Sequence, residues 1–200
     1  MTRLSGGKKR CLSHAFSLPD APCGGIIGSV KPGTVEEKQT VEFKTMSEAE
    51  YSKFSEYSVA EYANDLMNGE NLDPETALKK AGSEFNEMLA DGLCTEDHFV
   101  MTIHDARNGK EVGWIWYCYE IEQDEKQAFL CDFLIFEPDR RKGYASAALA
   151  EMERRAKADG CAAIALFVWD HNAPGGALYG KCGYMPEEEE DGGVKMIKRL

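Results

Sequence analysis

The amino-acid sequence predicts an α/β protein (α+β arrangement) in which helices flank one mixed, largely antiparallel β-sheet. Segments with alternating or near-continuous apolar residues, typical of strands, are interspersed with segments of helical periodicity. Asn108-Gly109 separates two such strand segments, which is a strong signal for an antiparallel hairpin. Two strongly apolar segments, 127–136 and 161–170, flank one helical segment and therefore predict a parallel crossover within the sheet.

The first predicted elements are one strand and two helices. Residues 40–46 alternate between apolar and polar side chains, as a strand does. Ser47, with a glutamate three residues later, forms a capping-box pattern for a helix that we expect to end near Asn68-Gly69. Asp73 and Pro74 open a second helix. The apolar face predicted for this second helix consists of Leu78, Phe85, Met88 and Leu89.

The remaining elements complete the predicted order β-α-α-β-β-β-α-β-α-β. The segment 127–136 is apolar almost throughout, so we expect a central strand buried on both faces. The helix that follows it turns Leu149, Met152 and Ala156 towards the core. The other predicted segments are hairpin strands at 98–105 and 111–121, a strand at 161–170, a short helix within 172–184, a solvated turn at 187–193 and a closing strand at 194–200.

Composition narrows the class of partner. The net charge of -12 repels polyanions over most of the surface, so we expect no nucleic-acid partner. No apolar run approaches the roughly 18 residues of a membrane span, and no apolar segment follows the N-terminal basic residues. We therefore predict no membrane association and a cytoplasmic location. The seven cysteines, without a C-x-x-C spacing, favour free thiols over disulfides or a metal site.

Residues 1–39 differ from the rest of the chain. Basic residues outnumber acidic ones there, and neither helical nor strand periodicity runs through the segment. We predict a poorly ordered or irregular N-terminal tail at 1–39. An extra structural arm is the alternative interpretation. A single domain at 40–200 is expected to follow.

A cluster of three cations precedes the helix after strand 127–136. Arg140, Arg141 and Lys142 stand directly before Gly143. The first N–H groups of a helix lack intrahelical partners and attract anions, phosphate above all. Gly143 has no Cβ, which permits close approach of a ligand to the backbone. The cluster is therefore interpreted as a phosphate-binding loop, with a solvated basic loop as the alternative.

Two segments resemble a known family. Residues 140–145 match the pattern R/Q-x-x-G-x-G/A, and "HNAPGGALYGKCGY" (171–184) resembles N-x-x-A-x-x-L-Y-x-x-x-G-F/Y. With these segments in this order, and with the element order of 40–200, the sequence resembles the GNAT superfamily of acetyl-CoA-dependent N-acetyltransferases. The segment "GLCTEDH" is similar to a bacterial single-domain subgroup. Arg141 departs from the family pattern, in which glycine is most common at that position.

The resemblance implies a GNAT fold, in which the two parallel strands splay apart and acetyl-CoA lies in the gap, with no metal. It also implies that Tyr179 is the acid for the leaving thiolate, whereas a Tyr that packs under the sheet is the alternative. Asn172 matches a residue that contacts pantetheine or caps the last helix. The cofactor-binding set implied in this way is Leu134, Ile135, Phe136, Arg140, Arg141, Lys142, Gly143, Tyr144, Ala145, Ser146, Asn172 and Tyr179.

The base that removes a proton from the acceptor ammonium is less constrained. Asp132 is an acid inside an apolar strand, where burial would raise its pKa towards a useful range. A structural Asp with satisfied hydrogen bonds is the alternative. Glu137, at the end of that strand, is the second candidate, and His171 or His104 could act through a water.

The predicted reaction is direct attack of a primary amine on acetyl-CoA in a ternary complex. The predicted acceptor is a small-molecule or peptide amine, and a second copy of the chain is a further predicted partner, as a homodimer. Two alternatives stay open. One is a non-catalytic acyl-CoA-binding or regulatory module, and the other is transfer of a different acyl group such as succinyl.

Overall fold

The computed structural model describes residues 39–190 and 192–200. The tail predicted at 1–39 therefore lies almost entirely outside the described residues. The elements follow the predicted order with one addition. They are β1 (Val41–Thr45), α1 (Glu48–Glu70), α2 (Pro74–Met88), β2 (His98–Asp105), β3 (Glu111–Glu122), β4 (Glu125–Ile135), α3 (Tyr144–Ala158), β5 (Ala163–Trp169), α4 (Ala173–Lys181), β6 (Met185–Glu190) and β7 (Gly193–Arg199).

The strands form one seven-stranded sheet in the order β1-β2-β3-β4-β5-β7-β6. Neighbouring strands are antiparallel except β4 and β5, which are parallel and joined by α3. The predicted mixed, largely antiparallel sheet with one parallel crossover is confirmed. Within the described residues no helix has the length and hydrophobicity of a transmembrane span.

Each face of the sheet carries its own apolar core. The helices α3 and α4 cover one face, where Leu149, Met152 and Ala156 are buried as predicted. The helices α1 and α2 cover the other, where Phe54 and Trp116 are fully buried. Strands β4 and β5 lie between the two cores and are buried almost throughout.

The helix α1 begins as predicted and ends slightly later. Ser47 and Glu50 form the capping box in both directions. The helix continues past the expected end at Asn68-Gly69, and Asn71 takes the left-handed conformation that ends it, with φ 54°. Gly69 instead lies against the Trp169 ring, where a side chain has no room.

Two other details of the prediction are wrong. Leu78 is 54% exposed, because α2 packs through Ala77, Ala81 and Phe85, which recur every four residues on one face. The acidic segment predicted as a turn at 187–193 is largely strand β6, which pairs antiparallel with β7. Its side chains are nearly all exposed, so it lacks the buried alternate face by which strands are recognised in sequence.

Candidate active site

The parallel strands β4 and β5 pair at only one end. Their ladder runs from Gln127 opposite Ala163 to Leu130 opposite Leu166. Beyond it, β4 continues to Ile135 and β5 to Trp169 without pairing to each other. The strands therefore separate towards their carboxyl ends, as expected for a splayed pair. The edge of β4 that faces β5 therefore carries no β5 ladder over this stretch.

A β-bulge sets the orientation of Asp132, which lies beyond the ladder between β4 and β5. Trp116 of β3 lies opposite Asp132, whereas the next residue, Tyr117, lies opposite Leu130. Cys131 is therefore the extra residue of β4. The bulge interrupts side-chain alternation, so Cys131 and Asp132 both face α1 and α2.

Asp132 is almost fully buried, with 1% of its surface exposed. Its carboxylate accepts a hydrogen bond from the hydroxyl of Ser58 on α1. On the same helix, Tyr57 packs edge-to-face on Trp114 with ring centroids 5.3 Å apart. Burial first, and then the negative charges of Glu61 and Asp132, raise the pKa of Tyr57 to about 12.

The start of α3 leaves its first N–H groups without a side-chain cap. Gly143 is the N-cap residue, with φ +89°, and no side chain bonds to the first turn. Arg141 is also left-handed, with φ +62°. The loop thus adopts the conformation that glycine makes easy, although an arginine occupies the position. The amides of Tyr144, Ala145 and Ser146 open the helix and fit an anion.

The three cations before α3 differ in what they contact. The Nε of Arg140 donates to the carbonyl of Ile135 at 3.0 Å. The Nζ of Lys142 donates to Asp139 at 3.0 Å. The guanidinium of Arg141 is exposed and has no partner within the described part of the chain. Arg141 is therefore the cation of this loop that is available to a ligand.

Two buried carboxylates hold this loop in place. Asp139 binds Lys110 at 2.5 Å and Lys142 at 3.0 Å. The hydrogen bond from Lys110 is the main reason that the pKa of Asp139 lies below its ordinary value. At the end of β2, Asp105 accepts a hydrogen bond from the hydroxyl of Tyr144 at 2.7 Å. The side chain of Tyr144 thus ties the first turn of α3 to the β2–β3 hairpin.

The helix α4 carries the residues matched to the second family pattern. The side chain of Asn172 accepts a hydrogen bond from the N–H of Gly175 at 3.0 Å, so it caps α4. Tyr179 is fully buried and packs edge-to-face on Tyr184 with centroids 5.9 Å apart. Both rings belong to the core beneath α3 and α4.

The other predicted site residues lie along or just beyond β4. Leu134 and Ile135 are buried in the stretch that does not pair with β5. Phe136 follows the strand and packs edge-to-face on Trp114, 5.2 Å away. Glu137 is exposed in a single 3-10 turn after the strand.

Sequence reasoning did not find the hydrogen bond between Asp65 and His171. The Nε2 of His171, in the loop after β5, lies 2.7 Å from Oδ1 of Asp65 on α1. The imidazole stacks on Trp169 with centroids 6.0 Å apart. The spacing of residues along α1 relates this pair to the space between β4 and β5, because Ser58 of α1 bonds Asp132 of β4. Ser58 and Asp65 are seven residues apart, so they lie on nearly the same face of α1, roughly 10 Å apart along its axis.

Comparison with known proteins places this arrangement in a family. Residues 60–184 match the family model described as "Acetyltransferase (GNAT) family". The chain belongs to the GNAT family. This GNAT chain is accordingly an acyltransferase, and its fold has the splayed parallel pair that the sequence resemblance implied.

Relatives of this GNAT chain are known from Bacillus subtilis. It is 32% identical over 162 residues to the "Uncharacterized N-acetyltransferase YycN", covering 80% of this chain and 99% of that protein. It is 30% identical over 139 residues to YdgE, another uncharacterized N-acetyltransferase, covering 70% of this chain and 88% of that protein.

Solved structures agree with the sequence relatives. The crystal structure of YycN superposes with a TM-score of 0.70 at 29% identity, covering 76% of this chain and 96% of that one. A spermidine N-acetyltransferase from Vibrio cholerae, solved with CoA and spermine, superposes with a TM-score of 0.55 at 15% identity, covering 80% and 95% respectively. At that identity the likeness concerns the fold alone.

Proposed function

We propose that this enzyme transfers the acetyl group of acetyl-CoA to a primary amine by direct attack in a ternary complex. The observation that carries the proposal is the uncapped start of α3, beside the point where β4 and β5 separate. A helix start of the kind that binds anions and a strand edge beyond the β4–β5 ladder suit the two parts of CoA, its diphosphate and its pantetheine arm. Family membership and the CoA-bound fold neighbour support the same co-substrate.

In this proposal the loop before α3 and the strand β4 bind different parts of acetyl-CoA. The amides from Arg141 to Ser146 would hold the diphosphate, with the guanidinium of Arg141 adding a charge-assisted contact. The backbone from Leu134 in β4 to Phe136 just after the strand would bond the pantetheine arm. Arg140 and Lys142 support this site by holding the loop on Ile135 and Asp139. Asn172 supports it by capping α4.

Acetyl-CoA, when bound, supplies a thioester whose carbonyl carbon is open to attack by an amine. An N–H of β4 would stabilise the negative charge that develops on the carbonyl oxygen. Holding both substrates in the gap contributes to the rate through positioning. The hydroxyl of Tyr179 would protonate the departing thiolate.

The proton of the acceptor ammonium needs a base near the gap. Asp132 lies in the stretch of β4 beyond its ladder with β5, but its carboxylate is buried and already accepts a hydrogen bond from the hydroxyl of Ser58. Glu137 is exposed in the turn beyond the strand. Both remain candidates on position alone, and the acceptor is an amine of a small molecule or a peptide.

Calorimetry with acetyl-CoA tests the binding part of the proposal. Arg141→Gln should weaken affinity about fivefold, because an exposed ion pair to phosphate contributes about 1 kcal/mol. Lys79→Gln is the matched control, since Lys79 is an exposed cation on α2 with no partner in the described residues. Absence of any heat of binding from the folded wild-type protein would contradict the proposal.

Turnover tests the acid. Tyr179→Phe should reduce kcat by about 10²-fold while leaving affinity for acetyl-CoA nearly unchanged, because only the proton donor is removed. CoA release from a panel of amines, followed by thiol detection, is the measurement. An unchanged kcat would show that Tyr179 is a packing residue. Binding of acetyl-CoA without CoA release for any amine would favour the non-catalytic module.

A further inference from the structure

We propose that His171, oriented by Asp65, is the base that takes the proton from the acceptor ammonium; this rests on the proposed N-acetyltransferase function. His171 follows β5 at the carboxyl end where β4 and β5 separate. An amine must reach this end of the gap to attack a thioester held there. The imidazole is thus placed beside the route of the acceptor.

The ring of His171 is held by two contacts on different elements. Its Nε2 lies 2.7 Å from Asp65 of α1, and its face stacks on Trp169 with 25° between the planes. The Asp65 carboxylate is 7% exposed and the imidazole 37% exposed. A buried acid therefore orients a base that solvent and substrate can reach, which is the arrangement that activated bases require.

The hydrogen bond to Asp65 determines which nitrogen is available. When Nε2–H donates to the carboxylate, Nδ1 carries the lone pair and accepts a proton. Nδ1 has no partner within the described residues. After the transfer, the imidazolium is stabilised by the adjacent Asp65 anion. The amine nitrogen then has a free electron pair for attack, and the proton resides on Nδ1 until solvent removes it.

The helix α1 links this pair to the other side of the gap. Ser58 bonds Asp132 of β4, and Asp65, two turns later, bonds His171 after β5. The helix thus spans the two separated strands. In this arrangement the buried Asp132 positions α1 through Ser58, while His171 is the group with a free nitrogen.

The charges around His171 favour a cationic acceptor. Asp170 is its neighbour in the loop, and the last turns of α1 carry Glu61 and Glu70. Glu190 is the last residue of β6. Gly192, two residues later, lies against Gly69 and the Trp169 ring. The nearby cation Lys80 is bound to Glu70, and Lys195 of β7 is bound to Glu187. A protonated alkylamine is attracted to such a surface.

The test compares the pH dependence of kcat/KM in His171→Gln and in the wild type. Acetyl-CoA is the acyl donor, and the two acceptor probes are spermidine and a lysine-containing peptide. Glutamine retains an N–H for Asp65 but takes no proton. At neutral pH, kcat/KM should fall by about 10²-fold or more. This deficit should shrink as pH approaches the pKa of an alkylamine, roughly 10, because the unprotonated amine needs no base. Asp65→Asn should also lower kcat/KM, with a similar convergence at high pH.

Controls separate chemistry from structure. His104→Gln makes the same change where both ring nitrogens are bonded, to Thr102 and the carbonyl of Gly109, each at 2.9 Å. It should keep the wild-type pH profile. Calorimetry should give wild-type affinity for acetyl-CoA in His171→Gln.

Two outcomes overturn the assignment of the base alone. These are wild-type turnover by His171→Gln, and a deficit that stays constant with pH, as a purely structural role would produce. If Asp132→Asn showed the pH-dependent deficit and His171→Gln did not, Asp132 would be the base. If the wild-type protein releases no CoA with either probe or with any amine of the panel, the proposed function is wrong. The assignment of His171 as the base is then wrong as well.

Discussion

For the substitution Gly69→Ala in α1, helix preference and packing change the free energy of unfolding in opposite directions. Alanine is favoured over glycine inside a helix by up to about 1 kcal/mol. A Cβ on Gly69, however, would lie 2.4 Å from Cζ3 and 2.7 Å from Cε3 of Trp169. Ordinary contacts are 3.4–4 Å, so the ring would have to move by about 1 Å.

The Trp169 ring has little room for such a movement. It is 1% exposed, and it lies edge-to-face on Phe167 with centroids 5.1 Å apart. Overpacking of this kind costs about 1–3 kcal/mol. We therefore expect Gly69→Ala to lower the free energy of unfolding by up to about 2 kcal/mol once a helix gain of about 1 kcal/mol is subtracted.

Gly82 of α2 is the matched control. A Cβ there would meet only Cγ1 of Val59, at 4.0 Å. Gly82→Ala should therefore raise the free energy of unfolding by about 0.5–1 kcal/mol. Urea denaturation measures both variants, and thermal melting should show shifts of about 2–4 °C per kcal/mol in opposite directions. A Gly69→Ala protein that gains as much stability as Gly82→Ala would refute the packing argument.

Two further predictions concern the loop before α3. Arg141→Gly should be more stable to urea than Arg141→Ala by about 1 kcal/mol. Both variants lose the charge, but only glycine removes the conformational cost of φ +62°. Equal stability would mean that the loop relaxes around alanine. The bonds from Arg107 and Tyr144 keep the pKa of Asp105 well below its ordinary value. Its contribution to stability is thus fully present above about pH 4 and declines as pH falls further towards the folded-state pKa. Thermal melting between pH 2 and 6 should show a weaker pH dependence in Tyr144→Phe than in the wild type, and identical slopes would exclude this bond as a source.

Most of the fold was readable because its signals are local. The capping box at Ser47, the Asn108-Gly109 turn and the two apolar strands around α3 each depend on a few neighbouring residues. The strand β6 was missed because its exposed glutamates match a turn as well as an edge strand. Leu78 was assigned to the core because helical spacing alone does not say which of two adjacent stripes meets the neighbouring helix.

The candidate site was predictable only where a short pattern covers it. The loop at 140–145 and the helix carrying Tyr179 are contiguous in sequence. The bulge at Cys131 depends on pairing with β3, so strict alternation could not reveal that Asp132 faces Ser58. The contact between Asp65 and His171 joins residues 106 positions apart, and no local rule links them.

The acidic β6 also bears on self-association of the enzyme. Within the described residues it is the outermost strand, beyond β7, and an outermost strand is where another chain can add to a sheet. A second copy docked there in antiparallel register would set glutamates against glutamates, and like charges directly opposite are destabilising. This edge therefore discourages the sheet from growing from one molecule to the next.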